Sequence, residues 1–439
     1  MLVFAHIIVL LSCLLMFVVN RPNKIAIILF ILICMSAVEI NYIPFGGSIY
    51  LISFAFLISE MSNIRKMIRE TSKQKIGIGL FIMAFGSIVS LCNSPHYNSI
   101  FQWTRFFILE FIGKYFAIVY SLWAISDEKD YKSIASTVYW SNLLLFFFGV
   151  LNFITKKAYW VHSVYTSSFR SYDVLEVGDS DRFRVQAMMQ SSFVYGYICA
   201  LLLLFFVWLY QNGLLKNKKF RMSLVCCIFG IVTCGSRTVI LITIVGVAVY
   251  ALLYYSFRRW IRYAIIGIIF FLCIANFIPG FANSMELFVE AFSTDQNLQG
   301  ARGSSIGMRT LQFLAVLDHI RGHELFGNGI DFFTIDLGWG EGQSVDADLW
   351  GLEGIHMNLL LERGIWGLII WICYIYILFK AAYSYYNKQK FSVSINISVL
   401  SIYIFYSLTT GELLSAYPTM LILGIILKYS YITSINTSK

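Results

Sequence analysis

Arginines at the borders of apolar runs are the residues of this sequence best suited to chemistry. Arg237 lies in the stretch Thr-Cys-Gly-Ser-Arg-Thr, which joins two apolar runs. Arg182 and Arg184 precede a further apolar run that has Gln190 near its start, and Arg309 opens a segment of helical periodicity. An arginine side chain binds two phosphate oxygens at once and keeps its charge. The pattern predicts a site for an anionic ligand; pairing with a loop acid or snorkelling to the membrane interface is the alternative for any single arginine.

His356 is the titratable side chain best placed for proton transfer. It begins an apolar run, and Glu362 follows six residues later. Imidazole titrates near neutral pH, which suits a general base, although a lone interfacial histidine is more often structural. In one continuous helix Glu362 would lie about 9 Å further along the axis and on another face. We therefore expect Glu362 to pair with an arginine from another segment.

A third group of charges lies inside an apolar run. Glu110 and Lys114 stand four residues apart and can neutralise each other within a bilayer, with Arg105 above them as a candidate ligand. His319 and His323 have the same spacing, but Gly322 interrupts their helix, so they are a weak metal candidate. The sequence holds no CxxC pair and no nucleotide-binding loop, and we expect no metal and no cofactor.

Long apolar runs must position these side chains. Of the 439 residues 58% are hydrophobic and only 13% are charged, whereas soluble domains are about a quarter charged. Runs of about 18 apolar residues are typical of membrane helices. They predict one all-α, polytopic transmembrane bundle of about 12–13 spans over residues 1–439. The spans lie near 2–19, 25–42, 46–62, 76–92, 106–125, 135–154, 189–210, 220–235, 237–256, 261–278, 355–380, 393–409 and 413–431.

Lysine and arginine sort the connections between these spans. Alternate connections hold 21 of the 33 cationic residues, so the positive-inside rule makes them cytoplasmic, with the N-terminus outside and the C-terminus inside. The first apolar run lacks a basic n-region and is predicted to be a retained helix. No Lys/Arg run is typical of a nucleic-acid-binding arm, so no nucleic-acid partner is expected.

The other twelve cations fall on the outer side, against the usual bias, and nine of them are arginines. As a set they favour an anionic ligand over orientation alone. They are Arg105, Lys114, Lys156, Lys157, Arg170, Arg182, Arg184, Arg237, Arg302, Arg309, Arg321 and Arg363.

Two outward connections, 155–188 and 279–354, are long enough to indicate function. The second is predicted to contain a helix from about Gly307, capped by Ser304 or Ser305 and ended by Gly322. This helix could lie on the membrane surface or pack on the protein. Its apolar positions are Leu311, Leu314, Leu317 and Ile320.

Four short motifs in the second half resemble the bacterial O-antigen polymerase and O-antigen ligase superfamily. They are Gly235-Ser236-Arg237-Thr238 before an apolar helix, Arg309 at the start of the loop helix, Leu325-Phe326-Gly327-Asn328-Gly329, and His356 followed by Glu362-x-Gly364-x-x-Gly367. The order of many spans around a large external loop is also similar.

The resemblance implies a GT-C-like, metal-independent, inverting glycosyltransferase acting at the periplasmic face of the bacterial inner membrane. Its donor would be an oligosaccharide linked to undecaprenyl diphosphate. A polymerase transfers this chain to the next lipid-linked repeat unit, and a ligase transfers it to lipid A-core. A chain-length-regulating co-polymerase is a further implied partner. The Ile-, Phe-, Lys- and Asn-rich composition favours the polymerase, and a transporter or flippase of lipid-linked sugars is the alternative of another class.

The resemblance also implies roles for the candidate residues. His356 would be the general base, and Arg309 and Arg237 would stabilise the departing diphosphate. The residues expected to bind diphosphate or sugar are Arg182, Arg184, Gln190, Arg105, Arg302, Arg321 and Glu362.

Overall fold

A computed structural model describes residues 2–38, 47–164, 184–255, 262, 306–337, 349, 352, 354–411 and 415–436. Within these ranges the chain is helical and contains no β-strand. Six of the described helices are long and apolar enough to cross a membrane. The protein is therefore a multi-pass helical membrane protein.

The helices follow one another with short connections in the first third of the chain. They are α1 Leu2–Leu15, α2 Arg21–Cys34, α3 Ser48–Ser59, α4 Ile64–Lys73, α5 Ile76–Cys92, α6 Ile100–Phe107, a π-helical segment Ile108–Tyr115, α7 Ala117–Ala124 and α8 Asp130–Thr155. Among the described residues, the helices that follow are α9 Tyr159–Val164, α10 Ser192–Gln211, α11 Asn217–Thr233, α12 Arg237–Tyr254, α13 Ile306–His319, α14 Phe332–Ile335, α15 Ile355–Tyr383, α16 Lys390–Thr410 and α17 Ala416–Asn436.

The six candidate spans are α8, α10, α12, α15, α16 and α17, and each coincides with a predicted span. The predicted span 76–92 is the 17-residue helix α5, which follows a bend after α4, and the predicted span 106–125 is itself bent. The pair from Met61 to Cys92 turns by 107°, and the pair from Ile100 to Ala124 turns by 55°. Counting each pair as one span gives eight.

The remaining predicted spans are shorter helices or fall outside the described residues. Helices α1 and α2 have 14 residues, α3 has 12, and α11 has 17. The stretch 261–278 is described only at Arg262. Of the thirteen predicted spans, the described residues therefore support six, or eight if each bent pair counts as one span. The difference arises because hydropathy does not show where an apolar run bends or where its helix ends.

Glycines bring two pairs of helices into close antiparallel contact. A Cβ built on Gly86 of α5 would lie 2.7 Å from Ile370 of α15, and one on Gly246 of α12 would lie 2.6 Å from Ile402 of α16. Small residues at such crossings let membrane helices approach closely. These two contacts fix the register of both pairs.

Helix α13 confirms the helix predicted in the second long connection, and Gly322, with φ of +82°, follows its end. It packs through Gln312, Val316 and Ile320, which are buried. Leu311, Leu314 and Leu317 are exposed instead, so the helix packs on the protein and still presents leucines outward.

Candidate functional site

His356 lies beside the last turn of α16. Gly354 caps the start of α15 and separates the imidazole from that turn. A Cβ on Gly354 would lie 2.7 Å from Cε1 of His356 and 2.9 Å from the carbonyl oxygen of Leu408. The Nδ1 atom of His356 is buried and has no hydrogen-bond partner among the described residues. The hydrogen-bonding capacity of this nitrogen is therefore unused within the described residues.

Arg309 reaches the same turn from α13. Its guanidinium donates one hydrogen bond to the carbonyl oxygen of Thr409 and another to Oε1 of Gln312, each at 3.2 Å. Its charge also acts on the imidazole of His356. Helices α13, α15 and α16 thus bring the predicted base and one predicted phosphate ligand together.

Arg237 begins α12 at a tight turn, as the sequence predicts. Gly235 has φ of +63°, a conformation that other residues adopt at a cost, and the side chain of Ser236 accepts a hydrogen bond from the amide of Val239. The Cγ atom of Arg184 would lie 3.0 Å from a Cβ on Gly235. The side chain of Arg184 therefore passes the turn that precedes Arg237, and its guanidinium lies over the ring of Phe193.

Helix register places the Gly235 turn at the same level as the end of α16. Gly246 lies opposite Ile402 in the antiparallel pair α12 and α16, and Tyr254 lies near Phe391 with ring centroids 5.4 Å apart. Nine residues, or about 13 Å at a helical rise, lead back from Gly246 to Arg237. The same distance leads from Ile402 to the residue that follows α16, so Arg237 is level with the turn that Arg309 contacts.

Helix α15 is not the continuous helix that the sequence predicts, because it is broken at Gly364. Gly364 has φ of 61° and ψ of −160°, which only glycine adopts readily. The carbonyls of Leu361 and Glu362 consequently lose their partners at Ile365 and Trp366. The expected separation of about 9 Å along the helix axis between His356 and Glu362 still holds, since both residues precede the break.

The loop 323–329 supplies the missing hydrogen bonds. The amides of Asn328 and Gly329 donate to the carbonyls of Leu361 and Glu362, each at 3.0 Å. The amides of Ile365 and Trp366 donate to the carbonyls of Glu324 and Leu325, at 2.9 and 3.0 Å.

Glycines on both sides permit this approach. A Cβ on Gly327 would lie 2.5 Å from the carbonyl carbon of Glu362, and one on Gly364 would lie 2.5 Å from that of Leu325. Two of the motifs that carry the family resemblance are therefore bound to each other through backbone atoms.

Glu110 is the centre of a buried ionic network that includes Arg363, the residue immediately before the break. Its two oxygens accept from Nζ of Lys114 at 2.8 Å and from a guanidinium nitrogen of Arg363 at 3.1 Å. The Lys114 pair confirms the sequence prediction. Arg363, from another segment, was assigned no partner from the sequence. Both Glu110 and Lys114 lie in the π-helical segment, a distortion that is frequent at functional sites.

Tyr97 and Asp331 connect this network to the loops. The hydroxyl of Tyr97 donates to Oδ2 of Asp331, and the charges of Arg105 and Glu362 both act on this tyrosine. Burial, and then the hydrogen bond to Asp331, raise the pKa of Tyr97 well above its usual value. The tyrosine therefore remains protonated and acts as a donor.

The structure separates the remaining predicted site residues. Arg105 and Glu362 belong to the region of Tyr97, not to the His356 turn. The charge of the adjacent Arg363 acts on Glu362, but the guanidinium of Arg363 pairs with Glu110, and the described residues show no ion pair of Glu362 with an arginine from another segment. Gln190 donates to the carbonyl of Ser36 at 3.2 Å.

Three arginines remain. Arg321 is 81% exposed and pairs with Asp318 at 3.2 Å, as the salt-bridge alternative anticipates. Arg182 and Arg302 lie outside the described residues.

Two of these contacts were not predicted from the sequence. Thr409 acts through its backbone carbonyl, which no side-chain pattern reveals. A second donor to Glu110 could have been expected, since a buried carboxylate has two oxygens and Lys114 occupies only one of them, but the sequence does not identify that donor as Arg363.

No family model matches the chain, and no curated protein sequence matches it significantly. The chemistry of the site therefore rests on its geometry. Arg309 places a cation near the imidazole of His356, and Arg184 and Arg237 lie at the neighbouring turn. Such a set can bind a phosphate-bearing ligand and remove a proton from a hydroxyl group.

Proposed function

We propose that the protein is an O-antigen polymerase that joins oligosaccharide repeat units carried on undecaprenyl diphosphate. The observation that carries the proposal is the meeting of Arg309 and His356 at Leu408 and Thr409, the last turn of α16. A phosphate ligand and a proton acceptor within one turn match a reaction in which diphosphate leaves and a hydroxyl attacks.

The reaction is a metal-independent, inverting glycosyl transfer. A hydroxyl of the acceptor sugar gives its proton to His356 while its oxygen forms a bond to the anomeric carbon of the donor. The bond from that carbon to the diphosphate oxygen breaks, and the diphosphate takes the electron pair. Arg309 and Arg237 stabilise this developing negative charge, and charge-assisted contacts of this kind are worth roughly 1.5–3 kcal/mol each.

The proposed location is the inner membrane of a bacterium, with the N-terminus in the periplasm and the C-terminus in the cytoplasm. The GT-C-like character, the periplasmic position of 155–188 and 279–354, and the periplasmic site belong to the same proposal. Its support is the distribution of cations along the chain, because 21 of 33 fall in alternate connections.

Deletion of the gene, followed by gel analysis of lipopolysaccharide, tests the function. Loss of a polymerase leaves core with a single repeat. Bare core would contradict the proposal and indicate a ligase, whereas bare core with lipid-linked repeats on the inner leaflet would indicate a flippase. Complementation with the intact chain must restore the long chains.

Purified lipid-linked repeats test the role of His356. His356→Gln should lower the rate of chain extension by about 10²–10⁴, the usual contribution of a general base. His323→Gln is the matched control, since His323 is exposed on the loop and should extend chains normally. Normal turnover by His356→Gln would exclude this residue as the base.

A further inference from the structure

Helix α4 lies far from the His356 turn and runs at a steep angle to the next helix, α5. It follows the single 3₁₀ turn Met61–Asn63, and together they bend by 107° from α5. Lys75, with φ of 60°, forms the corner. Because α5 runs antiparallel to the spanning helix α15, a helix at this angle runs roughly parallel to the membrane surface.

A salt bridge shows at which end of the bundle α4 lies. Its residue Glu70 pairs with Lys428 of α17 at 3.2 Å. Lys428 is twelve residues, or about 18 Å, along α17 from Ala416, which adjoins the end of α16. Helix α4 therefore lies toward the end of the bundle opposite His356.

The residues of α4 divide into three sectors around its axis. At about 100° per residue, Met67 and Thr71 share a face, and both are 4% exposed. This face attaches the helix to the protein. Ile64 and Ile68 lie about 40° from each other on the adjacent face, where they are 46% and 60% exposed. Met61, in the preceding turn, extends this apolar face and is 70% exposed.

The third sector is cationic and borders the apolar one. Arg65 and Arg69 follow Ile64 by about 100° and 140°, Lys66 lies beyond them, and all three are exposed. Within the described chain no carboxylate pairs with these three side chains. Glu70, the acid of this helix, is already bound by Lys73 and Lys428.

We propose that α4 lies in the interface of the membrane and binds anionic phospholipid headgroups. Met61, Ile64 and Ile68 enter the acyl region, while Arg65, Lys66 and Arg69 contact the phosphates. Adjacent apolar and basic faces are the arrangement by which interfacial helices bind anionic bilayers. An acidic soluble protein would match the charges but would leave the apolar face exposed. The inference is independent of the proposed enzymatic function.

Lipid retention tests the headgroup preference. The full chain in detergent is offered equal amounts of phosphatidylglycerol and phosphatidylcholine, and bound lipid is counted by native mass spectrometry. The intact protein should retain phosphatidylglycerol over phosphatidylcholine by at least about fivefold. The triple variant R65Q/K66Q/R69Q should lose this preference.

A matched control removes cations elsewhere on the chain. The double variant K129Q/K132Q changes two exposed lysines outside α4 and should keep the preference. An unchanged ratio in the triple variant, or an equal loss in the control, would overturn the proposal.

Thiol labelling tests the insertion separately, and does not depend on the triple variant. The variants Ile68→Cys and Lys66→Cys are each reconstituted in phosphatidylglycerol vesicles. The vesicles are made permeable so that a water-soluble maleimide reaches both membrane faces. Mass spectrometry of the α4 peptide separates these thiols from the native cysteines. Ile68→Cys should react at least about tenfold more slowly than Lys66→Cys, because it faces acyl chains. Equal rates would mean that α4 faces water and would overturn the proposal.

Discussion

Helices α4 and α13 both carry arginine beside exposed apolar residues, yet they direct the arginine oppositely. Arg65 and Arg69 of α4 extend away from the protein, whereas Arg309 of α13 turns inward to the carbonyl of Thr409. The exposed apolar side chains are similar, Ile64 and Ile68 on one helix and leucines on the other. The direction of an arginine side chain, and not its presence, therefore separates a cation that interacts with the surroundings from one that belongs to an internal site.

The largest expected effect is the difference in rate between a variant that lacks Arg309 and one that lacks Arg69. If the proposed function holds, Arg309→Ala should lower chain extension by at least about 10²-fold, because it removes the charge proposed to stabilise the leaving diphosphate. Arg69→Ala should leave the rate within a factor of two of the unaltered protein, as expected of a residue outside the site. Both rates are measured with purified lipid-linked repeats. Similar rates for the two variants would remove the distinction between the helices.

A second test compares the buried carboxylate of Glu110 with the carboxylate of Glu70 at the α4 end of the molecule. Glu110→Gln leaves Lys114 and Arg363 adjacent without their shared carboxylate, which should cost about 3–5 kcal/mol of stability. Thermal unfolding in detergent measures the loss. Glu70→Gln, at the α4 end, should cost less because the side chain of Glu70 is 23% exposed and that of Glu110 only 9%. A larger loss at Glu70 would reverse the comparison.

Glycine positions provide a third test. Gly364→Ala should destabilise the protein by roughly 1–3 kcal/mol or more. The new Cβ would strain the backbone at positive φ and would also clash with the backbone of Leu325. Gly322→Ala is matched in having positive φ, but a Cβ there would have nothing within 4 Å. Its cost should be confined to the strain of about 1–2 kcal/mol. Equal melting temperatures for the two variants would mean that the contact with Leu325 does not constrain α15.

The smallest expected effect is at Arg321. Arg321→Ala removes an exposed pair with Asp318 and should change stability by about 0–1 kcal/mol. It should also extend chains at the normal rate, measured in the same assay as Arg309→Ala. A strong loss of rate would return Arg321 to the site and would show that the turn after α13 contributes a second arginine of the same kind as Arg309.

Local signals in the sequence account for part of the fold. Apolar length predicted six spans, the Gly235 turn was detectable from small residues between two runs, and the four-residue spacing predicted the pair of Glu110 and Lys114. Helical periodicity also predicted α13. In each case the determining residues are neighbours along the chain, so composition and spacing are sufficient.

The parts that could not be predicted depend on residues distant in sequence. The break at Gly364 is stable because Glu324 and Asn328, more than thirty residues earlier, supply backbone partners. Glycine is frequent in membrane helices, so Gly364 alone does not indicate a break. Arg363 finds Glu110 across 253 positions. Periodicity contains no information about such contacts.

The break in α15 has a consequence for how the chain enters a membrane. An unpaired carbonyl or amide in hydrocarbon costs several kcal/mol, and the break opens four such groups unless the loop 323–329 is present. We therefore expect α15 to be a poor autonomous insertion signal in its bent form. It would enter as a straight helix and bend only when the preceding loop docks, which makes assembly of the site a late step in biogenesis.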